Sequence, residues 1–248
     1  MTRLSWRSPL YLFVLLLLSA VCEKVGADVR EVSRAIGADP RLGSKFLQAS
    51  VGFGGSCFQK DVLDLVYLSE SYGLTEVANY WKQVVLMNDY QKERFARRVI
   101  HDMFETVAGK RIAMFGYAFK KDTGDTRETA AAYVSKYLLQ EQAHIVVFDP
   151  KTSETSMYME LDYSCGINEA TMPSLKKDMV MVKDPYEAAK GAHAILVMTE
   201  WDMFKELDYV AETMKGRTLD TVYFGGGTPT ALKAEELDAI LRRANGEG

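Results

Sequence analysis

Apolar residues recur along this chain with three different rhythms, and each predicts a different kind of structure. The first is an almost unbroken run from Leu10 to Val21, preceded by Arg3 and Arg7 and ending on the small residues Ser19 and Ala20 before Val21. The second, from 22 to 107, has helical spacing. Val29, Val32, Ala35 and Ile36 mark a short amphipathic helix that stops at Gly37, and Asp39-Pro40 makes a turn. A further helix follows residue 57, with Val62, Leu65, Val66 and Leu68 turned inward, until Gly73 breaks the pattern. A longer one is predicted over 75–107, where Val77, Tyr80, Trp81, Val84, Val85, Phe95, Val99, Ile100, Met103 and Phe104 recur as apolar positions.

The third rhythm begins at Lys110. Short apolar runs at 111–115, 144–148, 179–182 and 194–198 read as strands, with helices between them at 128–140 and 185–190. Residues 151–178 carry few signals and read as irregular. Strands alternating with helices predict a parallel, Rossmann-like sheet, so the fold class is α/β, with a helical region ahead of the sheet domain. No G-x-G-x-x-G fingerprint accompanies the strands, so the pattern itself does not argue for a dinucleotide site.

Two segments carry chemistry. In VGFGGSCFQKDVLDLVYL (51–68), Cys57 follows a glycine-rich turn and stands at a predicted helix N-terminus, where free amide N–H groups and the helix dipole favour a thiolate. Cys57, Lys60, Asp61 and Asp64 share one face of that helix. A free cysteine is also among the most buried residue types, so these residues alone fit either a reactive or a packed thiol. In FGYAFKKDTGDTRE (115–128), the loop after the first strand feeds a helix N-terminus, which suits a phosphate or simply a solvated loop.

Bulk properties narrow the field. The 248 residues carry a formal charge of −4, which excludes the basic face that general nucleic-acid binding requires. An anionic ligand would need local cations, and Arg41, Lys45, Lys60, Lys120, Lys121 and Arg127 lie in or near the two segments. Cys22, Cys57 and Cys165 form no CxxC pair or Cys/His cluster, so no metal site is expected, and the usage is that of a reducing compartment. The run 10–21 conflicts with this. It reads as a secretory signal peptide or short anchor, as the apolar end of a buried helix, or as an unrelated start from a mis-assembled gene. At twelve residues it falls short of the ~20 that cross a bilayer, and a membrane partner is not expected.

The two segments, in this order, resemble the UDP-glucose/GDP-mannose dehydrogenase family, and the FQKD and FKKDTGDTRE versions resemble its animal and plant UDP-glucose 6-dehydrogenases. The resemblance runs from about Cys22 to about Lys215, with nothing similar in 1–21. It implies domains at 22–107 (central, helical, dimerising) and 108–215 (nucleotide-sugar-binding), with 1–21 and 216–248 apart. It implies oxidation of UDP-glucose to UDP-glucuronate by NAD, in the cytoplasm, by a homodimer or higher homo-oligomer; the secretory pathway is the alternative if 1–21 act as a signal peptide. Cys57 would be the nucleophile and Asp61 would position water. Phe46, the stretch Ala49, Ser50, Val51, Gly52 and Phe53, and Phe119 with Lys120 would bind substrate, and Arg41 would reach it across the dimer. Phe58, Gln59, Lys60 and Arg127 would touch NAD, which the family holds mainly on an N-terminal domain that these residues do not include. Departures are Gln48, where the animal enzymes carry lysine, and the end of the match. There the family has a strand ending Asp-Gly-Arg, and this chain reads Phe224-Gly225-Gly226-Gly227. A catalytically incomplete nucleotide-sugar-binding or dimerising module is the other reading.

Overall fold

The computed structural model describes residues 7–43, 47, 49–55, 57–204 and 221–224. Phe46, Gln48 and the tail beyond 224 lie outside the described residues. The apolar run becomes part of helix α1 (Arg7–Val25). Leu15, Ser19 and Cys22, spaced as one helical stripe, are buried, while Val14, Val21 and Val25 face out. This stripe packs toward α2 (Val29–Gly37) and α4 (Thr75–Asp102), and Arg94 of α4 reaches Glu23 at 2.6 Å and Ser19 at 3.4 Å. Leu15, Ser19 and Cys22 therefore sit in the structure as the buried side of a helix. Among the described residues, no helix is long and apolar enough to cross a membrane.

The Cys57 segment continues into α3 (Phe58–Ser71), which lies against α4. Gly73, at a φ of 71°, makes the turn between them. The inward set differs from expectation. Val62, Val66 and Ser69 are buried, whereas Leu68 is 48% exposed, because the helix has one main neighbour and its buried stripe is narrow. Val77, Tyr80 and Phe104 are likewise exposed. The long helix ends at Asp102 rather than running to 107, since Phe104 and Glu105 take left-handed φ values of 63° and 61°. Lys110 Nζ donates to the freed Met103 carbonyl at 2.6 Å.

Five parallel strands follow in the order β3-β2-β1-β4-β5: β1 (Arg111–Phe115), β2 (His144–Phe148), β3 (Met179–Val182), β4 (Ala194–Val197) and β5 (Thr221–Phe224). Alternation along the central strands divides the core in two. Ile112, Met114, Ile145, Val147 and Leu196 join the cluster that includes Val99 and Met103 of the α4 end. Ala113, Phe115, Val146, Phe148, Ile195 and Val197 pack on the other face with Trp201 and Phe204. Burial on both faces is why these strands read as continuous apolar runs. The predicted helices become α5 (Ala130–Gln140) and α8 (Pro185–Ala189), with small differences at their ends.

Residues 151–178 are not irregular: they hold α6 (Glu154–Cys165) and the short α7 (Leu175–Asp178). Ser153 caps α6 by accepting the Ser156 N–H at 3.1 Å, and Gly166 closes it at a φ of 66°. Only Met157, Glu160 and Leu161 of α6 are buried, too few to produce a clear periodicity. β5 pairs with β4 at one edge of the sheet.

Candidate active site

The two chemical segments meet. The turn before Cys57 lies on the loop after β1, and its glycines are where the surfaces touch. A Cβ on Gly54 would come within 2.5 Å of the Glu128 carbonyl and 2.9 Å of Phe119 Cβ. One on Gly55 would fall 2.9 Å from the Phe119 ring, and Gly55 also has a φ of 87°. Its N–H donates to the Arg127 carbonyl at 2.9 Å. On the other side, a Cβ on Gly52 would lie 2.7 Å from Asn88 Oδ1. The glycine run is thus a close-packed joint rather than a loose tether.

Cys57 is exposed and N-caps α3 in helical conformation, its carbonyl accepting the Asp61 N–H at 2.9 Å. Exposure settles the choice left open by the residue type: this thiol is not a packed one. Lys60 is exposed and Asp61 half-buried on the following turn. Phe58 lies partly buried with its ring 5.3 Å from that of Phe53. Ala49, Ser50 and Gly52 are half-buried, and Val51 and Phe53 are buried, so residues 49–53 form a shallow wall ending at the thiol turn.

The loop after β1 is fixed from beneath by Asp149, at the end of β2. Its Oδ2 accepts the N–H groups of Tyr117 (2.7 Å) and Ala118 (3.0 Å) and the Trp201 indole N–H (3.2 Å). Its Oδ1 accepts those of Lys151 and Thr152, both at 2.8 Å. An acidic residue at this strand end is where a dinucleotide-binding sheet grips a ribose; here both oxygens are engaged within the chain. Phe119 is half-buried against the glycine turn and Lys120 points to solvent. Lys121 is tied to Asp202 at 3.2 Å.

Arg127 bonds Asp125 through Nε and Nη2 at 2.9 and 2.6 Å, and these bonds hold the Asp125 carboxyl below its ordinary range against the opposing effect of partial burial. The same bonds raise the Arg127 guanidinium, and the Gly55 N–H on the Arg127 carbonyl sets the thiol turn against this residue. Glu128, left-handed at a φ of 54°, is held by the buried Glu160, whose Oε1 accepts its N–H at 2.7 Å and also the Ser164 hydroxyl. Burial pushes the Glu160 carboxyl above its ordinary value of 4.5.

The resemblance has Arg41 reach substrate across the dimer. Arg41 stands in the turn after α2, its side chain 87% exposed and paired with Asp39 at 2.6 Å. Asn88, Lys92, Asp149 and Glu160 shape the site without having been singled out. Asn88 and Lys92 are buried polar residues on the apolar stripe of α4, and a polar residue in a buried register was the available signal. Lys92 Nζ lies 3.3 Å above the Tyr133 ring and 2.8 Å from Asp89, close enough for an ion pair though outside hydrogen-bond geometry.

Comparison with known proteins bears on both halves. Residues 17–90 match the central domain, and 113–223 the UDP binding domain, of the UDP-glucose/GDP-mannose dehydrogenase family. The match starts before Cys22 and ends beyond Lys215, so it takes in part of the stretch 1–21 that was set apart. UDP-glucose 6-dehydrogenase of Pongo abelii is 58% identical over 192 residues, 77% of this chain and 38% of that protein. UDP-glucose 6-dehydrogenase 1 of Oryza sativa subsp. japonica is 54% identical over 230 residues, 90% of this chain and 48% of that protein. The solved UDP-glucose dehydrogenase of Pyrobaculum islandicum superposes with a TM-score of 0.69 at 26% identity, covering 90% of this chain and 46% of that one.

Proposed function

Since the chain belongs to the UDP-glucose/GDP-mannose dehydrogenase family, we propose that it is the central and nucleotide-binding part of a UDP-glucose 6-dehydrogenase. It spans less than half the length of the curated relatives named above, 38% and 48%. The observation that carries the reading is the joint itself: the glycine turn that leads to Cys57 packs on Phe119 and bonds the Arg127 carbonyl.

In this reading Phe119 and Lys120 hold the uridine nucleotide, and the wall 49–53 faces the sugar. NAD, when bound, supplies the hydride acceptor for both oxidations. Lys60 and Arg127 are exposed cations beside the thiol and suit the edge of such an anionic cofactor. The engaged Asp149 leaves no ribose grip on this sheet, so they would be an edge only. Cys57 Sγ adds to the C6 aldehyde carbon, forming a C–S bond while the carbonyl oxygen takes a proton. Once that carbon is oxidised to the thioester, water positioned by Asp61 adds to it. The C–S bond breaks, releasing carboxylate and returning the thiol. Substrate and cofactor of this kind are cytosolic, and we place the protein there.

The second reading, a nucleotide-sugar-binding or dimerising module without turnover, is favoured by the lack of a dinucleotide cradle among the described residues. Titration calorimetry with UDP tests what the two share. Binding is expected, and Lys120→Ala should weaken it about 10- to 100-fold, as for loss of a charge-assisted bond of ~1.5–3 kcal/mol. A wild-type chain that fails to bind UDP overturns the first reading and the nucleotide-sugar-binding form of the second.

A further inference from the structure

Asn88 has no exposed surface, although it lies 35 positions along the chain from the turn it touches. Its carboxamide is spent on one residue. Oδ1 accepts the Phe53 N–H at 2.8 Å, and Nδ2 donates to the Phe53 carbonyl at 3.0 Å. The pair works like one rung of an antiparallel ladder, with a side chain in place of the neighbouring strand. Such a substitute is needed there, because 49–55 contain no helix or strand to hold their own backbone.

The fit is specific to asparagine. Aspartate can accept from the N–H but cannot donate to the carbonyl, and it would bury a charge. Leucine has the shape and neither bond. Glutamine adds a methylene where Gly52 already leaves no room, since even a Cβ there would stand 2.7 Å from Oδ1. Phe53 in turn stacks near Phe58, the first residue of the helix that Cys57 caps.

We infer that Asn88 is a positioning residue for the thiol turn: from the far side of the core, it fixes the peptide that shapes the sugar-facing wall and the approach to Cys57. What that wall binds rests on the function proposed above. The holding of the turn does not. The test pairs hydrogen-exchange mass spectrometry with titrations of UDP and UDP-glucose, on the full 248-residue chain and its Asn88→Asp and Asn88→Leu variants.

Exchange in peptides covering 49–57 is expected to quicken at least ~10-fold in both variants, while protection in α4, β1 and β2 stays within about 2-fold of wild type. UDP affinity should hold, and the gain of UDP-glucose over UDP should fall about 10-fold or vanish. Gly52→Ala, which pushes on the same carboxamide with Asn88 intact, should open the same peptides and serves if Asn88→Leu does not fold. Unchanged exchange in 49–57 overturns the inference. So does a loosening spread equally through α4 and the sheet, or a loss of UDP and UDP-glucose affinity in parallel, because each marks a merely structural role. A wild-type chain that binds neither nucleotide counts against the proposed function and leaves the exchange result to decide on Asn88.

Discussion

The three cysteines differ in ways that decide their chemistry. Cys57 is exposed, Cys22 is buried on the inner stripe of α1, and burial pushes the Cys165 thiol up to about 11. Alkylation at pH 8 followed by peptide mapping should therefore label Cys57 first, with Cys165 reacting readily only as pH approaches 11. Equal labelling of all three would contradict this. Glu160 offers a pH test. Its folded-state value lies above its ordinary one because burial disfavours the charge, so its contribution is fully present below the unfolded value and lost as pH rises through the folded one. Both donors converge on Oε1, which a glutamine can reproduce. Glu160→Gln should melt at or above wild type at pH 7, and that advantage should disappear near pH 3.5. Cys57, Lys60 and Asp61 were legible because they lie together in a motif. Asn88, Asp149 and Glu160 were not, because the bonds that tie them to the two segments run to backbone groups 31 to 35 positions away, which no local pattern identifies.

At the scale of elements, strands buried on both faces announced themselves, and α6 did not, having only three buried positions between its caps. Ser153 and Gly166 were the readable signals, but caps without a stripe carry little weight. Phe104 and Glu105 also evaded the sequence, since ordinary residues with positive φ are rare and nothing nearby marks them. The connection between β2, the loop after β1 and Trp201 depends on one carboxylate. Asp149→Ala would orphan several buried donors at once, and the expected loss is about 3 kcal/mol, a fall in melting temperature of roughly 6–12 °C. Thermal melts followed by circular dichroism would check it, and a change under ~1 kcal/mol would show that water replaces the carboxylate.

For the molecule as a whole, the helical half shows an uncovered face. Leu63, Tyr67, Leu68, Tyr72, Leu74 and Tyr80 are all exposed on α3, α4 and the turn between them. Apolar surface of this kind usually marks a contact, and a homodimer of the kind the family resemblance implies would cover it. Tyr67→Glu with Tyr80→Glu should shift sedimentation toward the monomer with little change in melting temperature. The purified chain should form no NADH from UDP-glucose and NAD at 340 nm, because holding the reacting atoms in line requires a cofactor cradle that the described residues lack. Turnover abolished by Cys57→Ser would reverse that expectation.

The joint at Gly54 and Gly55 also limits how the two halves can change over time. The space of a missing side chain on the helical half is filled by the Glu128 carbonyl and the Phe119 ring of the sheet half. A side chain at 54 meets a backbone carbonyl, which no replacement across the joint removes, so glycine is required there whatever the sheet half carries. In a chimera of two relatives, a transplanted sheet half has to meet glycine at both 54 and 55.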